Sequence, residues 1–287
     1  MSLGLNKTKR RISSIETTQK ITKAMEMIAT VKLKSFKDAF AASSSYLDEV
    51  TKIIGSFIEY DGEEKSHYTK ENENAQGSLY IIITSSLGLC AGYNNNIFKF
   101  VESTVDKEKD TILMIGEKGA AHYSFDKSYK NRSELQGYLS LESRNKDILK
   151  FSMELKNAFN EGKYRKINII YTKYINSLSF EPSCLTLLPL YIKYKKEKNE
   201  DICPPLFNPG PREALHLALP NYLFSQIKGK IIESSLSEQA SRRNAMESAN
   251  DNADELLAQL RIEYNKARQT SITQEIVEIV GGANASK

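Results

Sequence analysis

Three observations about the 287-residue sequence predict an α/β domain combined with a long antiparallel α-helical coiled coil made by the two ends of the chain. All seven prolines fall between Pro182 and Pro220. Residues 5–57 and 221–280 each contain one glycine and no proline, which favours two uninterrupted helices. Between these stretches lie short apolar runs that are typical of buried strands.

Each terminal stretch would be on the order of 80–90 Å long as a helix, at about 1.5 Å per residue. A helix of that length is stable in water only if it buries an apolar seam. Because the two stretches stand at opposite ends of the chain with a compact domain between them, we expect them to pair antiparallel and form a shaft. Alternating steps of three and four residues predict the N-terminal seam as Ile12, Ile15, Gln19, Thr22, Glu26, Ala29, Leu33, Phe36, Phe40, Ser43, Leu47, Val50, Ile54 and Phe57. A second apolar stripe on the same helix consists of Ile21, Met25 and Ile28. The predicted C-terminal seam consists of Met246, Ala249, Ala253, Leu256 and Leu260, then Ile272, Ile276 and Ile279.

The middle of the chain alternates predicted strands and helices. Apolar runs at 79–84, 111–115 and 167–171 resemble strands covered on both faces, and helical stretches lie near 97–105 and 147–159. This alternation predicts a small, Rossmann-like parallel α/β domain. The resulting division is 1–60 for the N-terminal helix, 61–77 for a linker, 78–194 for the α/β domain, 195–211 for a second linker and 212–287 for the C-terminal helix.

Composition narrows the classes of function. With 40 basic and 36 acidic residues the net charge is +4, which is too small for a protein that coats nucleic acid. No run of eighteen apolar residues and no secretory signal is present, so we expect no membrane span and an intracellular location. The three cysteines Cys90, Cys184 and Cys203 are widely spaced, which favours a reducing compartment over a disulfide framework or zinc site.

The sequence offers little that resembles an active site. It contains no G-x-x-x-x-G-K-[ST] loop, and Gly116-Glu117-Lys118-Gly119 is better explained as a tight turn between a strand and a helix than as a nucleotide loop. Cys90 has no histidine nearby in the sequence to activate it. We therefore expect no active site in this chain. The basic residues 7–11 favour a polar helix face over nucleic-acid binding, because no stacking aromatics accompany them.

Two terminal motifs carry a resemblance to a known family. Residues 18–29, TQKITKAMEMIA, and residues 238–283, from EQASRRNAMES to ITQEIVEIVGGA, resemble the two signatures of the γ subunit of rotary F-type ATP synthases. The resemblance implies a non-catalytic central-stalk rotor that transmits torque between a ring of three α and three β subunits and a membrane rotor. It also implies an ε-like partner, ATP, ADP and Mg bound by the partner subunits rather than here, and a peripheral position on the cytoplasmic face of a bacterial membrane.

The same resemblance implies which residues contact the ring. Lys23 and Met25 would lie near an acidic segment of the β subunits. A second set, near the C-terminus, would contact loops of the β subunits, and a third would sit in an apolar sleeve at the top of the ring. These sets are Arg268, Gln269, Thr273, Gln274 and Glu275 for the loops, and Ile276, Ile279 and Val280 for the sleeve.

One departure from the family pattern keeps alternatives open. The family usually carries Asp-Arg before Gly-Leu-Cys-Gly-Gly, whereas this chain has Ser86 and Leu87 there, and Ala91 in place of a glycine. One alternative is therefore the shaft of a specialised ATP-hydrolysing motor whose output is not proton pumping. A coiled-coil scaffold and a nucleic-acid-binding helical protein are the remaining alternatives, and neither accounts for the terminal motifs.

Overall fold

The computed structural model describes residues 2–61, 66–126, 128–129, 131–135, 137, 139–192, 206–208 and 210–285. Most of the expected linker 195–211 lies outside the described residues. The chain forms two compact units: Met1–Val31 with Arg242–Lys287, called unit 1, and Lys32–Ser241, called unit 2. In chain order the elements are α1 (Ser2–Glu59), a 3-10 turn (His67–Thr69), β1 (Leu79–Ile83), α2 (Tyr93–Thr104), β2 (Thr111–Ile115), α3 (Glu117–Phe125), β3 (Asn131–Arg132), α4 (Asn145–Asn160), β4 (Ile167–Tyr174), β5 (Phe180–Leu188) and α5 (Pro211–Ala285).

The two terminal helices are as long as the distribution of helix breakers predicts. Helix α1 has 58 residues and α5 has 75. Helix α5 begins at Pro211, where the missing backbone N–H costs nothing because the first turn of a helix has no acceptor for it. It continues through Pro220. None of the helices, over the residues described, has an apolar stretch that could cross a membrane.

Within unit 1 the two helices run antiparallel. Arg261 donates to Glu16 at 2.8 Å, and the Gln19 side-chain amide donates to Asp254 at 2.7 Å. Residue numbers along α5 therefore fall as those along α1 rise. Within unit 2 the same helices pack closely at Gly229. A Cβ atom at that position would lie 2.5 Å from Leu47 Cδ1, so a larger residue here would require the Leu47 side chain to move.

Unit 2 contains a five-stranded sheet in the order β3-β2-β1-β4-β5. The pairs β1–β2, β2–β3 and β1–β4 are parallel, and β5 pairs antiparallel with β4. Strands β1, β2 and β4 coincide with the three apolar runs of the sequence, because each of these strands is buried on both faces. The Rossmann-like α/β domain is therefore confirmed, with an antiparallel edge strand added to it.

Two apolar cores cover the two faces of the sheet. On one face α4 and α5 pack on alternate strand residues such as Ile81 and Ile169, and α1 contributes Ile54. On the other face α2 and α3 pack on the intervening residues such as Ile82 and Met114. Helix α5 is thus part of the domain core along its first five turns, through Leu215, Leu219, Leu223, Ile227 and Ile231.

Candidate partner interfaces

A polar layer lies in the middle of the helix pair of unit 1. The side chain of Asn250, which is buried, donates to Glu26 Oε2 at 2.6 Å and accepts from the Thr22 hydroxyl. The backbone carbonyl of Asn250 accepts from the Gln19 side-chain amide at 3.5 Å. Gln19 is also buried and donates to Asp254. Polar groups placed opposite each other in this way stabilise one register of the two helices over others.

The seam of α5 differs by one position from the one that the sequence predicts. Met246 and Leu260 are buried as expected, but the buried leucine between them is Leu257, whereas Leu256 is partly exposed. The step from Asn250 to Leu257 is one heptad, so the seam passes through a polar residue. Counting apolar residues alone therefore shifted the predicted register from Leu257 to Leu256.

The outer face of α1 in unit 1 carries the first set of expected contact residues. Lys23 is exposed and Met25 is half-buried. Ile21 and Ile28 are more than half exposed, so the second stripe of the sequence faces away from the seam. This part of α1 therefore offers apolar surface next to lysine side chains.

The last turns of α5 extend beyond the start of α1 in unit 1. Leu5 and Thr8 line a groove with Thr270 and Ser271, so the antiparallel partner of α1 ends near Ser271. The predicted continuation of the seam through Ile272, Ile276 and Ile279 is wrong, because these side chains are exposed. The residues expected to contact the ring are all exposed here: Arg268, Gln269, Thr273, Gln274, Glu275, Ile276, Ile279 and Val280.

Two backbone amides at the start of α3 are engaged within the domain. The Gly119 N–H donates to Thr84 Oγ1 at 3.0 Å, and the Lys118 N–H donates to the Ser85 carbonyl at 3.0 Å. Gly116 adopts a φ of 106° in the tight turn after β2, where a Cβ atom would collide with the Thr84 carbonyl. The Lys118 and Gly119 amides, which occupy positions that bind anions at other helix N-termini, are thus bonded within the domain.

The usual ligand crevice of a doubly wound sheet is filled by α5. The strand order reverses between β1 and β4, and ligands of such sheets bind at the carboxyl ends of the strands at this point. Here the Thr172 N–H of β4 donates to Ser234 Oγ at 3.2 Å, and Ser241 Oγ donates to the Cys90 carbonyl at 2.7 Å. The chain's own helix therefore occupies the place where a nucleotide would lie.

The loop after β1 holds Cys90 in a buried position. Its Sγ lies 3.6 Å from Asn94 Nδ2 and 3.8 Å from Ser85 Oγ, neither of which is a general base. Leu87 and Leu89 of the same loop are exposed. Ala91 has a φ of 46°, a left-handed conformation that glycine adopts without strain.

A polar cluster that sequence reasoning missed joins the start of α5 to α4 in unit 2. The Tyr68 hydroxyl lies 2.9 Å from His216 Nδ1, and Lys156 Nζ lies 3.0 Å from His216 Nε2. Desolvation, followed by the charges of Lys156 and His67, lowers the pKa of His216. Tyr68, Lys156 and His216 are far apart in the sequence, so no local spacing could have signalled this cluster.

The fold and these surfaces define a protein that has a long helical pair and an α/β domain whose crevice is closed. The helices of unit 1 carry exposed apolar side chains such as Ile28, Ile276 and Val277, and exposed apolar surface of this kind is typical of a protein that acts through contacts with partner proteins. A family model described as ATP synthase matches residues 4–285. The chain belongs to this family, as a gamma chain.

Individual relatives agree with this assignment. The ATP synthase gamma chain of Mesoplasma florum is 38% identical over 283 residues, covering 98% of each chain. The sodium-ion-specific ATP synthase gamma chain of Acetobacterium woodii is 34% identical over 310 residues, covering 99% of each. A chain of the Euglena gracilis mitochondrial ATP synthase, in a structure of OSCP, F1 and c-ring, shares the fold with a TM-score of 0.70 at 19% identity, covering 99% of this chain and 95% of that one.

Proposed function

We propose that the chain is the non-catalytic central-stalk rotor of an F-type ATPase or ATP synthase, which transmits torque between the catalytic ring and the membrane rotor. The antiparallel pairing of the terminal helices in unit 1 carries this proposal, since a shaft needs two helices held in one register. Relatives at 34–38% identity that are named ATP synthase gamma chain support it.

The rotor acts as a ligand of the ring with a different affinity for each conformation of a β subunit. Turning the shaft changes which β subunit it stabilises in the open or closed state, and turnover of ATP in the ring turns the shaft in return. The coupling is reciprocal because it is a free energy shared by the two processes. The chain needs no catalytic residue for this role.

The contacts to the ring lie on the exposed faces of unit 1. Lys23 and Met25 face an acidic segment of the β subunits, where the exposed charge contributes little and the apolar neighbours Ile21 and Ile28 contribute most. Near the other end of unit 1, an arginine fork can hold a β-subunit carboxylate with two hydrogen bonds. That second contact set consists of Arg268, Gln269, Thr273, Gln274 and Glu275.

Ile276, Ile279 and Val280 form the bearing tip. All three side chains are more than half exposed in this chain, so burial in an apolar sleeve of the ring would remove apolar surface from water. Such contacts are non-directional, and they let the helix turn without breaking hydrogen bonds. This property suits a bearing better than a fixed joint.

ATP, ADP and Mg bind to the partner subunits in this proposal, and this chain holds no cofactor. The engaged amides of Lys118 and Gly119 and the crevice filled by α5 support this division of labour. The further partners are an ε-like subunit and the membrane rotor ring. The complex is peripheral on the cytoplasmic face of a bacterial membrane.

The test is co-expression of the chain with the F-type α and β subunits of the same organism, followed by native mass spectrometry. We expect one copy of the chain per three α and three β subunits, and no ATPase activity from the chain alone. A variant that ends after residue 241 lacks the α5 part of unit 1 and serves as the control that fails to assemble. A full-length chain that purifies without α and β subunits would contradict the proposal.

A further inference from the structure

Helix α5 changes its mode of packing where it passes the end of β4. Up to Ile231 it rests on the sheet through leucine and isoleucine side chains. From Glu233 to Ser241 most of the buried side chains are polar, with Leu236 and Ala240 as the apolar ones, and several of the polar side chains form hydrogen bonds to backbone atoms of β4 and of the loop after β1. We call Glu233, Ser234, Ser237 and Ser241 the joint.

The joint replaces β1 as the hydrogen-bonding partner of β4. The pairing of β1 with β4 ends at Ile82 and Ile170, two residues before Thr172. Beyond that point the Thr172 N–H donates to Ser234 Oγ at 3.2 Å. The Ser237 hydroxyl is shared between the Thr172 carbonyl at 3.3 Å and the Glu233 carbonyl of α5 itself at 3.0 Å. The helix thus continues the bonding pattern of the sheet in place of a strand.

Two more bonds of the joint hold Glu233. The Tyr174 N–H donates to Glu233 Oε1 at 3.3 Å, and Lys230 Nζ donates to Glu233 Oε2 at 2.8 Å. Lys230 in turn lies 4.3 Å from the centre of the Tyr171 ring on β4. The carboxylate is therefore fixed from both sides.

The loop after β1 is bonded to the same segment of α5. The Tyr93 hydroxyl donates to the Ser234 carbonyl at 3.2 Å, and Ser241 Oγ donates to the Cys90 carbonyl at 2.7 Å. Ser234, Ser237 and Ser241 are all buried, so water does not compete for these bonds. The joint thus links α5 both to β4 and to the loop that follows β1.

Directional bonds and apolar packing resist motion differently. Apolar contacts are non-directional, and a helix held by them resists displacement only through the packing of its side chains. Hydrogen bonds weaken steeply when their angles change, and a short serine side chain leaves little room for adjustment. The joint therefore fixes the rotation and the height of α5 on the α/β domain.

We propose that the joint is the element that transmits torque between the α/β domain and helix α5. This inference rests on the proposed rotor function. Helix α5 is continuous from Pro211 to Ala285, so a rotation imposed at Ser234 and Ser237 is carried along the same helix to its exposed end. The part of α5 before the joint stabilises the domain by apolar packing, and the His216 cluster fixes its first turns to α4.

The experiment compares Ser234→Ala/Ser237→Ala with the control Ser225→Ala in the complete α, β and γ complex. Ser225 is a buried serine of the same helix, and its hydroxyl bonds the Asn221 carbonyl of α5 itself at 2.7 Å. A magnetic bead is attached through a biotin tag inserted in the exposed turn 106–110. The opposing load at which ATP-driven rotation slips or stalls is then measured.

We expect both variants to hydrolyse ATP without load as the unchanged complex does. The joint variant should slip at an opposing load at least about two-fold lower, because hydrogen bonds that resist rotation are gone, and the control should hold the full load. If the double variant does not assemble, each single alanine variant is expected to show an intermediate loss. A merely structural role would lower thermal stability and leave the stall load unchanged.

The outcomes separate the joint from the rotor function. Equal stall loads in the joint variant and in Ser225→Ala, with rotation of the unchanged complex intact, would overturn the torque role of the joint alone. A bead that does not turn on the unchanged complex while ATP is hydrolysed would overturn the rotor function and the joint with it. A selective loss of stall load in the joint variant supports both.

Discussion

Replacing Leu257 and Leu256 by alanine, one at a time, tests the register of the helix pair in unit 1. The two substitutions are the same and sit at adjacent positions of α5, so they change helix propensity equally and differ in burial. Leu257 is 4% exposed, whereas Leu256 is partly exposed. Deleting a buried leucine side chain costs about 2–5 kcal/mol, and a seam between two helices can relax from its open sides. We therefore expect Leu257→Ala to lower the free energy of opening the helix pair by about 2–3 kcal/mol, and Leu256→Ala to lower it by less than about 1 kcal/mol.

The assay is native-state hydrogen exchange of the α1 amides from residue 12 to residue 31 in the full chain. Because each 1.4 kcal/mol is a factor of ten, Leu257→Ala should speed exchange by local opening about 30- to 140-fold. Leu256→Ala should speed it less than about five-fold. An equal effect of the two substitutions, or a larger one for Leu256→Ala, would refute the register derived from the buried side chains.

Three further predictions concern the loop after β1, the start of α5 and the ring contacts. Ala91→Gly should stabilise the chain by about 0.5–1 kcal/mol in denaturant unfolding, because it relieves a left-handed backbone; a loss of stability contradicts this. Since the folded state lowers the pKa of His216, the neutral ring stabilises the chain above the ordinary value of 6.5, and this stability is lost as the pH falls through the folded value. His216→Gln should therefore shrink the fall in melting temperature between about pH 7.5 and about pH 5.5, and an unchanged fall would exclude His216 as its cause. Arg268→Ala combined with Gln269→Ala should lower ATP turnover of the assembled complex about two- to ten-fold while the helicity of the isolated chain stays constant; unaltered turnover would remove both residues from the contacts.

The helices and central strands could be predicted because their signals are local. The absence of proline and glycine predicts α1 and α5, and buried runs such as 79–84 predict strands covered on both faces. Strand β5 gave no such signal, because it is an edge strand that contains Pro182 and its burial does not follow a period of two. Strand β3 has only two residues, and the nine-residue helix α3 contains Gly119, so neither produces a clear period.

The interfaces could be predicted less completely, because they depend on partners distant in the chain. Asn250 is a polar residue in an apolar seam, and its partners Gln19 and Glu26 are more than 220 positions away. The sequence did not single out the serines of the joint either, because residues such as Ser234 and Ser237 are common on the solvent-exposed faces of helices. Only the fold reveals that they complete the hydrogen bonding of β4.

Whether this chain is a rotor can be seen directly by watching it turn inside its ring. The α and β subunits are fixed to a surface, a bead is attached to the α/β domain, and ATP is added. We expect rotation in one direction with three pauses per turn, one for each catalytic subunit of the ring. Steady ATP hydrolysis by the assembled complex with a bead that stays still would contradict it.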